Sequence, residues 1–170
     1  LRLEPGLSFG TGDHFTTRFC LERLEAVIDP DHPPAAMLDL GCGSGILALA
    51  AARLGCPCVT ALDHDPLCVM QAQTEAVRNG LDHVLTIMSG DVKTALPAGP
   101  FPLVCANLYS GLLEEMASRL VPVCTGDLIL SGILESQADA VAAAFQRAGA
   151  REMLRDGDGE WTGMVLRAKP

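Results

Sequence analysis

Lysine is nearly missing from this 170-residue chain: Lys93 and Lys169 are the only two. With 12 basic side chains against 21 acidic ones, the formal net charge is -9. No basic stripe exists to replace phosphate counterions, so direct binding of nucleic acid is not expected. Long apolar runs are missing too. The longest, Ile46 to Ala52, stops at Arg53, far short of the roughly 20 residues a membrane span needs. No membrane association is expected. Cysteine and histidine never fall in the paired spacing of a zinc site, so no metal is expected either. The seven cysteines, an odd number at positions 20, 42, 56, 58, 68, 105 and 124, lie mostly inside apolar runs. They read as small buried hydrophobes in a reducing compartment, and with no signal-peptide pattern at the start the expected location is cytoplasmic. Repeats and low-complexity tracts are absent. What remains, 49% hydrophobic and 19% charged residues, suits one α/β domain with a real core. The acidic balance fits a basic protein partner, or serves solubility alone.

The chain is organised around Met37-Leu38-Asp39-Leu40-Gly41-Cys42-Gly43-Ser44-Gly45. Its apolar start has the period of a buried strand, and the residues after Gly45, Ile46 to Ala52, are strong helix formers. Strand, glycine loop and helix make a unit in which the backbone turns sharply against a ligand and the helix N-terminus offers N–H groups to an anion. A second apolar run, Val59 to Leu62, ends in Asp63, placed to accept hydrogen bonds from a ribose diol. The dinucleotide fingerprint has glycine at its first, third and sixth positions, and the sixth position here is Ile46. Glycines at the first, third and fifth positions, with Asp39 two residues ahead, resemble the S-adenosylmethionine-dependent methyltransferases. The alternative is a glycine-rich turn of another doubly wound protein.

Ahead of this unit, residues 1 to 18 are too rich in glycine and threonine for regular structure. Thr16 or Thr17 is expected to cap a helix in which Cys20 or Leu21, Leu24, and Val27 or Ile28 recur at helical spacing. The loop is either a tail or a cover over the cofactor, with Phe9 or Phe15 shielding it and Thr11 or His14 bonding to it. After Asp63, Asp65-Pro66 starts a crossover helix presenting Leu67, Met70, Ala76 and Val77 and closed by Asn79-Gly80. A third strand is expected over Val84 to Met88, and a fourth over Phe101 to Ala106, ending at Asn107. A helix over 109 to 121 and a fifth strand over Leu128 to Leu130 follow. Ser136 to Asp139 has capping-box form, and two last strands flank a hairpin turn at Asp156-Gly157-Asp158-Gly159.

Phe9-Gly10-Thr11-Gly12-Asp13-His14-Phe15-Thr16-Thr17, then Asp39 to Gly45, then Asn107-Leu108 together resemble the PrmA-type methyltransferases of ribosomal large-subunit protein eleven. Leu130-Ser131-Gly132-Ile133-Leu134 and Glu160-Trp161 extend the resemblance over nearly the whole chain. It implies a Rossmann-like seven-stranded methyltransferase sheet, mostly parallel with one antiparallel strand. It implies S-adenosylmethionine as cofactor, held by Phe9, Thr11, Thr16, the loop glycines Gly41, Gly43 and Gly45, Asp63, and Asp91 or its neighbour Val92 at the adenine. For Asp91, a solvent-facing loop position is the plain alternative. Asp39 binds the cofactor's amino group, directly or through water, or else bonds the glycine-loop backbone. The family carries an N-terminal recognition domain that this sequence lacks, so it reads as a single catalytic domain over 1–170, either a truncated form or a single-domain relative. Tyr109 and Phe15 replace a smaller residue and a proline.

Asn107 is the candidate for both chemistry and cofactor contact. A lysine, with an ordinary pKa of about 10.4, must lose its proton before it attacks, at a cost of roughly 4.6 kcal/mol. A carboxylate at this position favours the ammonium, whereas a neutral amide orients the free amine without holding charge on it. The expected activity is methyl transfer to amino groups of a basic ribosomal protein, by positioning and desolvation. The alternatives are another protein or small-molecule acceptor, or a cofactor-binding module without turnover.

Overall fold

A computed structural model describes residues 14–168. The apolar run ahead of the glycines is β1 (Met37–Leu40) and the helix behind them is α2 (Ile46–Arg53). Before them lies α1 (Phe15–Val27). After them come β2 (Val59–Asp63), α3 (Pro66–Arg78), β3 (Leu85–Ser89), the single turn α4 (Val92–Ala95), β4 (Phe101–Asn107) and α5 (Ser110–Val123). The chain ends with β5 (Cys124–Leu134), a 3-10 turn at Glu135–Gln137, α6 (Ala138–Arg147), β6 (Ala150–Gly157) and β7 (Trp161–Ala168). All seven strands share one sheet in the order β3-β2-β1-β4-β5-β7-β6. β1 pairs in parallel with β2 and β4, β2 with β3, and β4 with β5, whereas β7 runs antiparallel to both β5 and β6. The sheet is therefore mixed, with helices on both faces. Strand order reverses between β1 and β4, and the crevice of such a sheet opens beyond the carboxyl ends of those two strands. The glycine loop and Asn107 meet there.

Alternate residues of each central strand feed two cores. Leu38, Leu40, Val104 and Leu130 pack under Leu113, Met116, Val141 and Phe145 of α5 and α6. Met37, Leu103, Cys105 and Ile129 face Phe19, Cys20, Leu24, Leu47 and Ala51 of α1 and α2. The seating of α1 depends on Gly163 of β7: a Cβ there would lie 2.3 Å from Phe19 Cδ1. The bare backbone lets the Phe19 ring rest on the strand, and the ring is only 3% exposed. Burying a side chain of this size contributes roughly 1.5–3 kcal/mol, and it draws the first turn of α1 over the ends of β4 and β5.

Several local expectations are corrected. α1 begins at Phe15, inside the stretch expected to be loop, because His14 caps it: its ring accepts the Thr16 amide. Neither threonine is the cap. α3 buries Val69, Ala72 and Ala76 and leaves Leu67, Met70 and Val77 exposed. Its inner face must be small, since a Cβ on Gly45 would come within 2.9 Å of Ala72 Cβ. β5 runs well beyond Leu128–Leu130 because β4 and β7 both continue to pair with it. Ser136 lies in the 3-10 turn, drawn out of the helix by the bond from Glu135 N to Glu160 O, and α6 starts without a side-chain cap. Five cysteines are buried, but Cys58 is exposed and Cys68 partly so.

Candidate active site

Gly41, Gly43 and Gly45 have φ of 71°, 53° and 82°, the left-handed region where glycine alone pays no steric cost. This conformation turns successive amides toward β2. Gly41 N and Cys42 N donate to Leu62 O at 2.9 and 3.2 Å, and Gly43 N donates to Asp63 Oδ2 at 2.9 Å. Asp63 Oδ1 accepts the Asp65 amide at 3.0 Å, with His64 Nδ1 3.4 Å away. Asp63 thus fixes the loop through one oxygen and the start of the next connection through the other. Each carboxylate oxygen keeps a further lone pair for a ligand. Gly45 ends the loop and, as the residue before α2, has no side chain of its own to cap it.

Asp39 stands apart. It is fully buried beneath the loop, and its Oδ2 accepts the Ala48 amide in the first turn of α2 at 3.1 Å. Among the described residues its Oδ1 has no hydrogen-bond partner. Burial pushes its pKa up to about 7, the Ala48 bond pulls it down, and the nearby Asp63 charge raises it again. Of the two roles open to Asp39, bonding the backbone behind the loop is the one that this geometry displays.

Two cavities of about 340 Å³ each open at this end of the sheet and share Gly41, Leu108 and Tyr109 as a common ridge. The first is bordered by Asp63, His64, Gly90, Asp91, Val92 and Lys93. Asp91 also caps α4, accepting the Lys93 amide at 2.8 Å. The second is bordered by Thr16, Gly43, the first-turn residues Ile46 and Leu47, Asn107 and Gly132, with His14 and Trp161 at its side. Asn107 Nδ2 donates to Thr16 Oγ1 at 3.4 Å, and Thr16 Oγ1 lies 2.9 Å from His14 Nδ1. The Trp161 ring meets His14 edge-on, with centroids 5.2 Å apart.

The structure therefore brings together Asp63 and Asp91 in one cavity and Thr16, Gly43 and Asn107 in the other, with Gly41 between them. Gly45 and Asp39 support the loop from behind. Phe9 and Thr11 lie outside the described residues. Lys93, His64, Gly132 and Leu108 border the cavities without having been singled out as site residues. Of these, Leu108 and Gly132 lay inside the motifs that carry the resemblance, and Gly132 is also a break inside an apolar strand run.

The cradle fits a ligand with a diol at one end and an α-amino acid at the other. A carboxylate with free lone pairs stands in the first cavity, and the start of α2 at Ile46 and Leu47 and a neutral amide border the second. Gly41 keeps the two ends apart by no more than a backbone's width, since a Cβ there would lie 2.5 Å from Leu108 Cδ2.

A family model described as "Ribosomal protein L11 methyltransferase (PrmA)" matches residues 1–169. The ribosomal protein L11 methyltransferase of Thermus thermophilus is 42% identical over 165 residues, which cover 95% of this chain and 62% of that protein. The Myxococcus xanthus protein of the same name is 39% identical, covering 98% of this chain and 56% of its own length. This chain thus spans less than two thirds of these relatives. Among solved structures, the ribosomal protein L11 methylase from Lactobacillus delbrueckii subsp. bulgaricus matches with a TM-score of 0.89 at 29% identity, over 99% of this chain and 85% of that one. The N-terminal domain of EvdMO1 with SAH bound shares the fold, with a TM-score of 0.69 at 18% identity, over 94% of this chain and 85% of its own.

Proposed function

The chain belongs to the ribosomal protein L11 methyltransferase (PrmA) family, and from that premise we propose that it transfers methyl groups from S-adenosylmethionine to amino groups of a ribosomal protein. The observation that carries this reading is the pair of cavities meeting at Gly41, Leu108 and Tyr109, with Asp63 on one side and Asn107 on the other. On this reading the sheet is the Rossmann-like one of the S-adenosylmethionine-dependent methyltransferases, and a basic protein suits its acidic charge.

Asp63 accepts the ribose hydroxyls through the lone pairs left by Gly43 and Asp65, as charge-assisted bonds of about 1.5–3 kcal/mol. Asp91 and Val92 border the adenine end. The amides of Ile46 and Leu47 at the start of α2 face the amino-acid carboxylate, with Thr16 beside them. When bound, S-adenosylmethionine supplies a methyl group on a positively charged sulfur. Asn107 receives the acceptor amine. Its Nδ2 is engaged with Thr16, which leaves Oδ1 to accept an N–H of the neutral amine and aim its lone pair. No carboxylate stands at this position to hold the ammonium form. The work asked of the residues is positioning and exclusion of water.

The test is transfer of labelled methyl groups to purified ribosomal protein L11 and, separately, to small amines. Label on the protein's amino groups supports the reading. Label on small amines alone replaces the acceptor, and cofactor binding without any transfer reduces the chain to a binding module.

A further inference from the structure

The side-chain amide of Asn107 has, among the described residues, one hydrogen-bond partner, the Thr16 hydroxyl at 3.4 Å. That hydroxyl also lies 2.9 Å from His14 Nδ1. The same ring nitrogen accepts the Thr16 backbone amide at 3.4 Å to cap α1. In the tautomer that caps α1, Nδ1 carries no proton and also accepts the Thr16 hydroxyl proton. Thr16 Oγ1 then has only lone pairs left on the side of Asn107, and only the amide's N–H₂ can answer them. In that tautomer the polarity of the chain His14, Thr16, Asn107 runs from the helix cap outward.

The other end of the amide faces Gly132. A Cβ on Gly132 would lie 3.0 Å from Asn107 Oδ1 and 2.6 Å from Leu108 O, so the bare backbone there leaves the amide oxygen room toward the second cavity. Ser131, the register partner of Asn107 across β4 and β5, is fully buried, and among the described residues its hydroxyl has no hydrogen-bond partner, so none of them opposes the orientation from there. Building on the role proposed for Asn107, we infer that Thr16 is a positioning residue for methyl transfer, with His14 behind it: it turns Asn107 Oδ1, and not Nδ2, toward the acceptor amine. Orientation matters chemically. An oxygen accepts an amine N–H and leaves the nitrogen lone pair free. An inverted amide donates into that lone pair and quenches the nucleophile.

The test replaces the hydroxyl with a methyl group in Thr16→Val, with Thr16→Ala as a second hydroxyl-free variant in case the first does not fold, and keeps it in Thr16→Ser. Nuclear magnetic resonance of the Asn107 side-chain amide reads the relay directly, without turnover. Its signals are expected to move or broaden in the Val and Ala variants and to stay in place in the Ser variant. S-adenosylmethionine affinity, measured beside it by calorimetry because Thr16 also borders the cofactor's end of the cavity, is expected to change less than the rate does. The rate at saturating ribosomal protein L11 is expected to fall about tenfold, the scale of one lost hydrogen bond, with no further loss when Asn107→Ala is already present. Asn107 signals untouched by loss of the hydroxyl overturn the inference. So does a loss of cofactor affinity that accounts for the whole rate change, which makes Thr16 a cofactor contact instead. If Asn107→Ala keeps the full rate while the amide signals respond as described, the relay stands and the catalytic role of Asn107 is what fails.

Discussion

Asp63 Oδ2 accepts the amide proton of Gly43 at 2.9 Å. The carboxylate that borders the first cavity is thus the same group that holds the glycine loop shaping the second. Removing it in Asp63→Ala leaves the Gly43 and Asp65 amides without their partner, a cost on the order of 1–3 kcal/mol for each unpaired buried donor. It also removes the ribose acceptor. The expected result is a lower melting temperature together with S-adenosylmethionine binding weakened about ten- to a hundredfold. Asp63→Asn keeps one acceptor oxygen and should fall between, by calorimetry of both unfolding and binding.

Asn107→Ala is expected to lower the rate at saturating acceptor while leaving cofactor affinity within about fivefold, because its amide faces the amine and its loss removes at most one neutral bond of about 1 kcal/mol from any ground-state contact. Asn107→Asp should be slower than wild type at neutral pH and recover as pH rises, since a carboxylate stabilises the ammonium that cannot attack. Initial-rate profiles against pH separate the two variants. Equal rates for all three proteins would remove Asn107 from the chemistry.

Asp39 predicts a pH dependence of stability. Its folded pKa of about 7 lies above the ordinary 3.8, chiefly through burial. Between those values the folded state binds more protons than the unfolded state, so stability falls as pH rises through this window and levels off above it. The contribution is on the order of a few kcal/mol. Urea unfolding at several pH values should show a steeper decline from acid to neutral pH in wild type than in Asp39→Asn, which cannot ionise. Parallel curves would mean that the Ala48 bond offsets burial.

Gly163→Ala places a methyl group where the Phe19 ring lies. Overpacking of this kind costs about 1–3 kcal/mol, and here the strain falls on α1, which carries His14 and Thr16. Thermal unfolding should be lowered, and the smaller side chain of Phe19→Leu in the same chain should restore part of the loss. Full stability of Gly163→Ala alone would show that α1 shifts freely over β7.

Legibility from sequence followed the distance over which each feature is determined. The glycine loop, Asp63 and the Asp65-Pro66 helix start were readable because a few neighbouring residues dictate them, through backbone conformation and a local cap. The outward face of α3 was misread because an apolar stripe at Leu67, Met70 and Val77 outweighs the small residues Ala72 and Ala76, whose burial depends on Gly45 in another element. His14 was visible as a loop histidine, but its cap on α1 fixes the helix start earlier than the threonines suggested. Trp161 and Gly163 reach the site or its supports only because β7 inserts between β5 and β6, a pairing that no local pattern announces. The partner of the Asn107 amide, the Thr16 hydroxyl, likewise comes from α1, 91 residues away in sequence.

The measurement that tests the account most directly is calorimetric titration of the chain with S-adenosylmethionine, beside the same titration with NAD. The two-cavity site predicts saturable binding of one S-adenosylmethionine per chain and none of NAD, whose fingerprint lacks its last glycine at Ile46. Absence of S-adenosylmethionine binding, or equal binding of NAD, would contradict the assignment of this site.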